Sequence, residues 1–308
     1  MDRRDETEAK IARLKKELNA VIVAHNYQRP EVQDIADFTG DSLELARNCA
    51  EISSKVIVFC GVRFMAETAA ILNTSATVLL PNPKAGCPLA NTIDVNELRH
   101  WKNRYPEATV VAYINTTAAV KAESDVCCTS ANGVEVVNAM PGEEILFIPD
   151  RNLGHYVSTK TKKKIILYPG VCYVHDRITA EHVKLAKQRY PGAKVLVHPE
   201  CSPEVIDLAD AALSTSQMIR YAEQSSDKVF LIGTEEGMLH SLMKKNPGKE
   251  FHLVVDDSVC FNMKMTTLDN VVETMETGKN VVTVPEDIRV NAKHAIDRML
   301  RISKKGNK

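Results

Sequence analysis

Three cysteines follow apolar runs at nearly equal intervals along the 308-residue chain: Cys87 in VLLPNPKAGC, Cys172 in IILYPGVC and Cys260 in LVVDDSVC. The steps are 85 and 88 residues (172 − 87 and 260 − 172), each close to one-third of the length. Such regularity predicts a threefold internal repeat that delivers one thiolate per copy to a common centre. Thiolates select zinc or iron–sulfur clusters. Structural zinc prefers four ligands, with cysteines in closely spaced pairs, and no CxxC-type pair occurs here. Three ligands on three separate copies suit a buried [4Fe–4S] cluster with one iron lacking a protein ligand, open to act as a Lewis acid. The other five cysteines do not repeat. Cys49 and Cys60 read as core residues, Cys127 and Cys128 are too close together to chelate one ion, and Cys201 follows His198 near a strand end.

Polar residues gather at other strand ends. VIVAHNYQ from Val21 delivers His25, Asn26 and Tyr27; VVAYINTT from Val110 delivers Tyr113 and Asn115; VLVHPECS from Val195 delivers His198, Pro199 and Glu200. Ser42, Ser130 and Thr215 each stand where a helix begins, in TGDSLELA, CCTSANGVEVV and LSTSQMIRYAE. There a hydroxyl and free backbone N–H groups make an anion site, although the same hydroxyls also serve as plain helix caps. His25 and His198 read singly as core histidines, and their joint placement favours function.

The elements that must position these groups are legible as repeats. Short Val/Ile/Leu runs alternate with helical stretches, the pattern of parallel strands buried on both faces. A second set of runs is VIVFCGVR from Val56, ILFIPDRN from Ile145 and VFLIGTEE from Val229, and the cysteine segments form a third. PEVQDIAD from Pro30 and PEVIDLAD from Pro203 agree at six of eight positions. In parallel α/β units, ligands sit beyond the carboxyl ends of the strands, where the spaced cysteines and the polar residues of the preceding paragraph fall. The ends of the chain read as helices: residues 5–19 with Ile11, Leu14 and Leu18 on one face, a helix from Thr266 closed by Gly278, and a last helix from Pro285.

Composition excludes several classes. The 39 Lys and Arg nearly balance the 40 Asp and Glu, which argues against a nucleic-acid or membrane-surface partner. No apolar run reaches the roughly 20 residues of a membrane helix, and the charged start MDRRDETEAK is no signal peptide. A cytoplasmic protein is expected, in which eight cysteines point to metal or burial rather than disulfides.

HNYQ (His25–Gln28), GDS (Gly40–Ser42), CGVRFMAETA from Cys60, GCPLA from Gly86, YINTTAAVKAESDVCCTSAN from Tyr113, PGVCYVHDRIT from Pro169, HPEC (His198–Cys201) and STS (Ser214–Ser216) run in the order of the quinolinate synthase family, which the chain resembles over essentially its whole length. The resemblance implies an α/β fold of three homologous αβα sandwich domains with short parallel sheets, in pseudo-threefold symmetry around a central active site. On this chain the units are 1–86, 87–171 and 172–260, with 261–308 returning to complete the first. It implies a [4Fe–4S] cluster on Cys87, Cys172 and Cys260. It also implies condensation of iminoaspartate with dihydroxyacetone phosphate to quinolinate, phosphate and water, for NAD biosynthesis. His25, Ser42, Tyr113, Asn115, Ser130, His198, Pro199, Glu200 and Thr215 would bind substrate or intermediate, and His175 joins the cavity. Glu200 is the expected general base, with Tyr27 and His198 as acid or relay. An aspartate oxidase or aspartate dehydrogenase would supply the imine.

Some positions depart from the family pattern. Arg63 stands where histidine is expected, the segment around Cys260 reads DSVCFNMKM, and no cysteine follows Cys260. The alternatives are an iron–sulfur redox protein, which would need four protein ligands, and a non-catalytic anion-binding module.

Overall fold

The structure is a computed structural model that describes residues 3–305. Twelve strands form three separate sheets, and each sheet has four parallel strands. The first holds β1 (Ala20–His25), β2 (Phe38–Gly40), β3 (Val56–Cys60) and β4 (Thr77–Leu79). The second holds β5 (Thr109–Tyr113), β6 (Val126–Cys128), β7 (Glu144–Ile148) and β8 (Lys164–Leu167). The third holds β9 (Lys194–Val197), β10 (Ala211–Ala212), β11 (Val229–Gly233) and β12 (Glu250–Leu253). Every sheet has the same order, second–first–third–fourth strand, with helices in the connections. This is the expected α/β architecture of three sandwiched sheets.

Hydrogen bonds repeat with the sheets. Asp37, Asp125 and Asp210 each accept a backbone N–H at 2.8 Å, from Ile22, Val110 and Val195 respectively. Each aspartate then returns its own N–H to the carbonyl of that same residue. The three buckles fasten the short edge strand of every sheet to its neighbour, and they sit at steps of 88 and 85 residues (125 − 37 and 210 − 125). Arg63, Arg151 and Glu236 likewise donate their N–H groups to Ala85, Gly170 and Ser258. Each acceptor lies two residues before one of the spaced cysteines, so the three thiol loops leave their sheets in the same way.

Strand alternation divides the core. Side chains of successive residues point to opposite faces. Ile22, Ala24, Val58 and Cys60 face outward into a cluster with Ile11, Leu14 and Val271. Val23, Ile57 and Phe59 face inward, and so do Val111 and Phe147 of the second sheet and Leu196, Phe230 and Ile232 of the third. The inward faces share one core, while each outward face has its own. The parity that turns Val23, Val111 and Leu196 inward also turns His25, Tyr113 and His198 inward, two residues on.

The chain ends differ from expectation in one respect. The first helix runs Arg3–Glu17 and buries Ile11 and Leu14. Leu268–Thr277 packs against it and ends at Gly278, whose φ of 63° is the left-handed conformation that favours glycine. The last helix, Glu286–Lys305, does not simply complete the first sheet. It lies mainly on Ala118–Ala122, β6 and Gly133–Ala139 of the second sheet, and touches Arg63–Leu72 of the first. Its buried stripe of Ala292, Ala295, Ile296 and Met299 joins the shared core. Burial of a large apolar side chain stabilises by about 1.5–3 kcal/mol, so the helix settles where the second sheet leaves apolar surface open. Among the described residues, no helix is long and apolar enough to cross a membrane.

Candidate active site

The carboxyl ends of the three sheets surround one cavity. Its wall contains Cys87, Cys172 and Cys260. It also contains His25, Tyr27, Ser42, Tyr113, Asn115, Ser130, His175, His198, Glu200 and Thr215. Pro199 is buried but does not reach the wall. Arg63 points away, its side chain 58% exposed and paired with Glu67 at 3.2 Å.

The eight cysteines separate by burial. Cys49, Cys60, Cys127, Cys128 and Cys201 are closed off inside the protein, whereas the three spaced thiols are half-buried and open onto the cavity. Cys201 donates to the carbonyl of Gly233 and takes no part in the wall. Burial pushes the Cys87 thiol up to about 12, and Cys172 and Cys260 are also raised, chiefly by burial. Such thiols ionise readily only when a bound cation stabilises the thiolate. This donor set fits a thiolate-held metal group. The loops beneath two of the cysteines are fixed by carboxylates: Cys172 N–H donates to Asp150 at 3.2 Å and Cys260 N–H to Glu235 at 3.0 Å. Asp150 and Glu235 each stand two residues past the end of a sheet's third strand, β7 and β11, and both are fully buried.

Beside Cys172 a chain of polar groups crosses the cavity wall. Tyr27 Oη lies 2.6 Å from Thr234 Oγ1, which lies 2.8 Å from His175 Nε2. His175 Nδ1 is 2.9 Å from Glu200 Oε2 and 3.2 Å from Cys172 Sγ. His198 Nδ1 approaches the same carboxylate oxygen at 3.2 Å, and its Nε2 meets Ser130 Oγ at 3.1 Å. Burial pushes the Glu200 carboxyl up, but the two imidazoles, His175 foremost, outweigh it and hold it below the usual carboxylate range. An ionised carboxylate only accepts, so the proton between the two groups sits on His175 Nδ1. Thr234 Oγ1 bridges His175 Nε2 and Tyr27 Oη, and its single hydroxyl proton serves one of the two at a time. Glu200 Oε1 is buried and has no protein partner, and the same holds for Asn115 Oδ1. Two unmatched acceptors in one cavity wall are free for an outside donor.

The remaining electrostatics follow burial. His25 is pushed down to about 3, first by burial and then by His198, so at neutral pH its imidazole is uncharged. Burial also holds Tyr27 and Tyr113 protonated well above the usual phenol range.

None of the three hydroxyls is the plain helix cap that its position also allowed. Asp41, not Ser42, caps the Ser42–Glu51 helix, accepting from Leu43 and Glu44 N–H at 3.0 Å. Ser214, not Thr215, caps Thr215–Gln224. Ser130 lies ahead of Gly133–Ala139, whose N-cap is Asn132. With capping done elsewhere, Ser42 and Thr215 sit in their helices' first turn and face the cavity. Thr234, Asp41, Asp150 and Glu235 escaped the sequence reading. The signal that would have found two of them is the shared offset of Asp150 and Glu235 past β7 and β11.

Comparison with known proteins agrees with this geometry. Residues 9–301 match the family model described as quinolinate synthetase A protein. A quinolinate synthase of Dehalococcoides mccartyi is 56% identical over 294 residues, covering 96% of this chain and 97% of the relative. Those of Methanoregula boonei and Thermodesulfovibrio yellowstonii are 55% and 52% identical, covering 95% and 96% of this chain and 97% and 98% of their own. A triplicated fold that brings one thiol per copy to a shared cavity is here the fold of a chain belonging to the quinolinate synthetase A family.

Proposed function

We propose that this chain makes quinolinate for NAD biosynthesis by condensing iminoaspartate with dihydroxyacetone phosphate, with release of phosphate and water. The observation that carries the reading is a single cavity holding both the three half-buried thiols and the continuous polar chain from Tyr27 to Glu200. Cys87, Cys172 and Cys260 would hold a [4Fe–4S] cluster. When bound, it supplies a Lewis-acidic iron with a free coordination position.

The chain's own residues do the rest. Ser42, Ser130 and Thr215 bind the carboxylates and phosphate through their hydroxyls, two of them at helix N-termini where anions are favoured. His25, uncharged, and Tyr113 orient the substrate by hydrogen bonds rather than by charge. Asn115 Oδ1 accepts from a substrate hydroxyl or imine N–H. Glu200 Oε1 takes protons from the triose-derived carbons, and the imidazoles of His175 and His198 keep it ionised and aimed. Tyr27, protonated by its burial, gives a proton to a departing hydroxyl; Thr234 replaces it, His175 Nε2–H recharges Thr234, and the proton that Glu200 has taken returns to His175 Nδ1. Pro199 contributes only by turning the chain between His198 and Glu200.

We take residues 1–86, 87–171 and 172–260 as the three units, the C-terminal helices bridging the first and second. The eight free cysteines support a cytoplasmic setting. An aspartate oxidase or dehydrogenase would supply the imine. The test is anaerobic reconstitution with iron and sulfide, then assay of quinolinate from aspartate, an aspartate oxidase and dihydroxyacetone phosphate. Quinolinate formed in proportion to iron supports the reading. An iron-loaded protein that forms none removes it.

A further inference from the structure

Cys260 and Tyr27 belong to different units, yet one buried ion pair holds both. Glu235 Oε1 accepts the Cys260 N–H at 3.0 Å and lies 2.9 Å from Lys264 Nζ. Lys264 Nζ in turn donates to the backbone carbonyl of Tyr27 at 2.9 Å, and Lys264 N–H donates to the Cys260 carbonyl at 3.1 Å. The circuit closes through Thr234, the neighbour of Glu235, which holds the Tyr27 hydroxyl. Glu235 is fully buried and the Lys264 side chain is 10% exposed.

The fold does not require this pair. Val62, Asp150 and Glu235 stand at equivalent positions, two residues past β3, β7 and β11. Asp150 accepts the Cys172 N–H just as Glu235 accepts that of Cys260, but none of its ion pairs is with a lysine or arginine among the described residues; Val62 offers no carboxylate. Two of the three thiol loops therefore form without an ion pair. The third has one, and its cation reaches across to Tyr27. A Cβ at Gly237 would lie 2.8 Å from Lys264 Nζ, 2.9 Å from Glu235 Oε2 and 2.8 Å from the Gln28 carbonyl oxygen, so the bare glycine leaves room both for the pair and for the backbone beside Tyr27.

We propose that Lys264 and Glu235 are positioning residues that lock Tyr27 to the loop of the third thiol, so that the loop holding the metal group also sets where the tyrosine hydroxyl stands. This rests on the reading of Tyr27 and Cys260 given above. Removal of one member of a buried pair is costly because the other charge is left unpaired, so a single variant alone would confuse stability with position.

The experiment compares Lys264→Met, Glu235→Gln, the double variant and Gly237→Ala, each reconstituted anaerobically. Glu235→Gln keeps an oxygen for the Cys260 N–H, and Gly237→Ala keeps both charges while crowding the pair and the Gln28 carbonyl beside Tyr27. Expected are wild-type iron and sulfide per chain, KM within about twofold, and kcat roughly ten- to a hundredfold lower in all four. The double variant, free of unpaired charge, should regain thermal stability without regaining kcat. A kcat that recovers with stability, or wild-type kcat in Lys264→Met, overturns the proposal. A fluorotyrosine at position 27 gives a readout independent of turnover. Its fluorine resonance should shift in Lys264→Met before iron is added, and an unchanged resonance also overturns the proposal. If the wild-type protein makes no quinolinate, the functional reading fails and the resonance alone decides this one.

Discussion

Tyr27 and Thr234 come from the first and third sheets, 207 residues apart in sequence, and their hydroxyls meet at 2.6 Å. Thr234 is the one group that touches both Tyr27 and His175 Nε2 at short range, since the direct distance between those two is 3.5 Å. Thr234→Val keeps the shape and removes the link. Turnover should fall about 100-fold, the scale of a lost proton-transfer partner, while stability falls by about 1–3 kcal/mol because buried partners lose their hydrogen bonds. Steady-state kinetics beside a denaturant titration check both numbers.

Glu200 offers a sharper separation. Glu200→Gln keeps an amide oxygen for one imidazole but cannot accept a proton at neutral pH. We expect kcat to fall at least about 100-fold with iron content unchanged. Full turnover in this variant would transfer the base role to another residue.

Lys121, which takes no part in the proton chain, gives a pH signature of its own. Its ammonium is fully buried, donates to the Thr116 carbonyl, and is pushed down to about 8 by burial from an ordinary value of 10.5. Between those values the unfolded chain binds more protons than the folded one, so stability rises with pH across about 8 to 10.5. The gain is on the order of 3 kcal/mol. Urea unfolding of wild type and Lys121→Met through that range should show wild type gaining on the variant. A difference that stays flat with pH would refute the assignment.

The aspartate buckles test the triplication itself. Asp37→Ala, Asp125→Ala and Asp210→Ala should each cost about 0.5–1.5 kcal/mol for the part-buried buckle hydrogen bond, and the first and third should lose up to about 1 kcal/mol more with their Lys15 and Lys194 pairs. They lie in different sheets, so the losses should add to within about 0.5 kcal/mol. Activity per folded molecule should stay unchanged.

Much of this was readable in the sequence, and what was not has physical causes. The parallel sheets announced themselves because strands buried on both faces must be continuously apolar. Strand ends located His25, Tyr113 and His198, because parity turns them toward the shared core. Ser42 and Thr215 were found, but the sequence left open whether they also cap their helices, since a cap one residue earlier has the same polar look. The last helix showed its apolar stripe of Ala292, Ile296 and Met299, and a stripe says that a surface is covered without saying by which sheet. Thr234, Glu235 and Lys264 were silent because their importance lies in partners from other units, which no local pattern records.

The central claim is that Cys87, Cys172 and Cys260, and none of the other five, hold the iron–sulfur group. The most direct measurement is iron and acid-labile sulfide per chain, after anaerobic reconstitution, in eight single Cys→Ser variants. Iron should be lost in those three variants and retained in the folded variants of Cys49, Cys60, Cys127, Cys128 and Cys201. Full iron in Cys87→Ser, Cys172→Ser or Cys260→Ser would contradict the account, as would its loss from a well-folded Cys201→Ser.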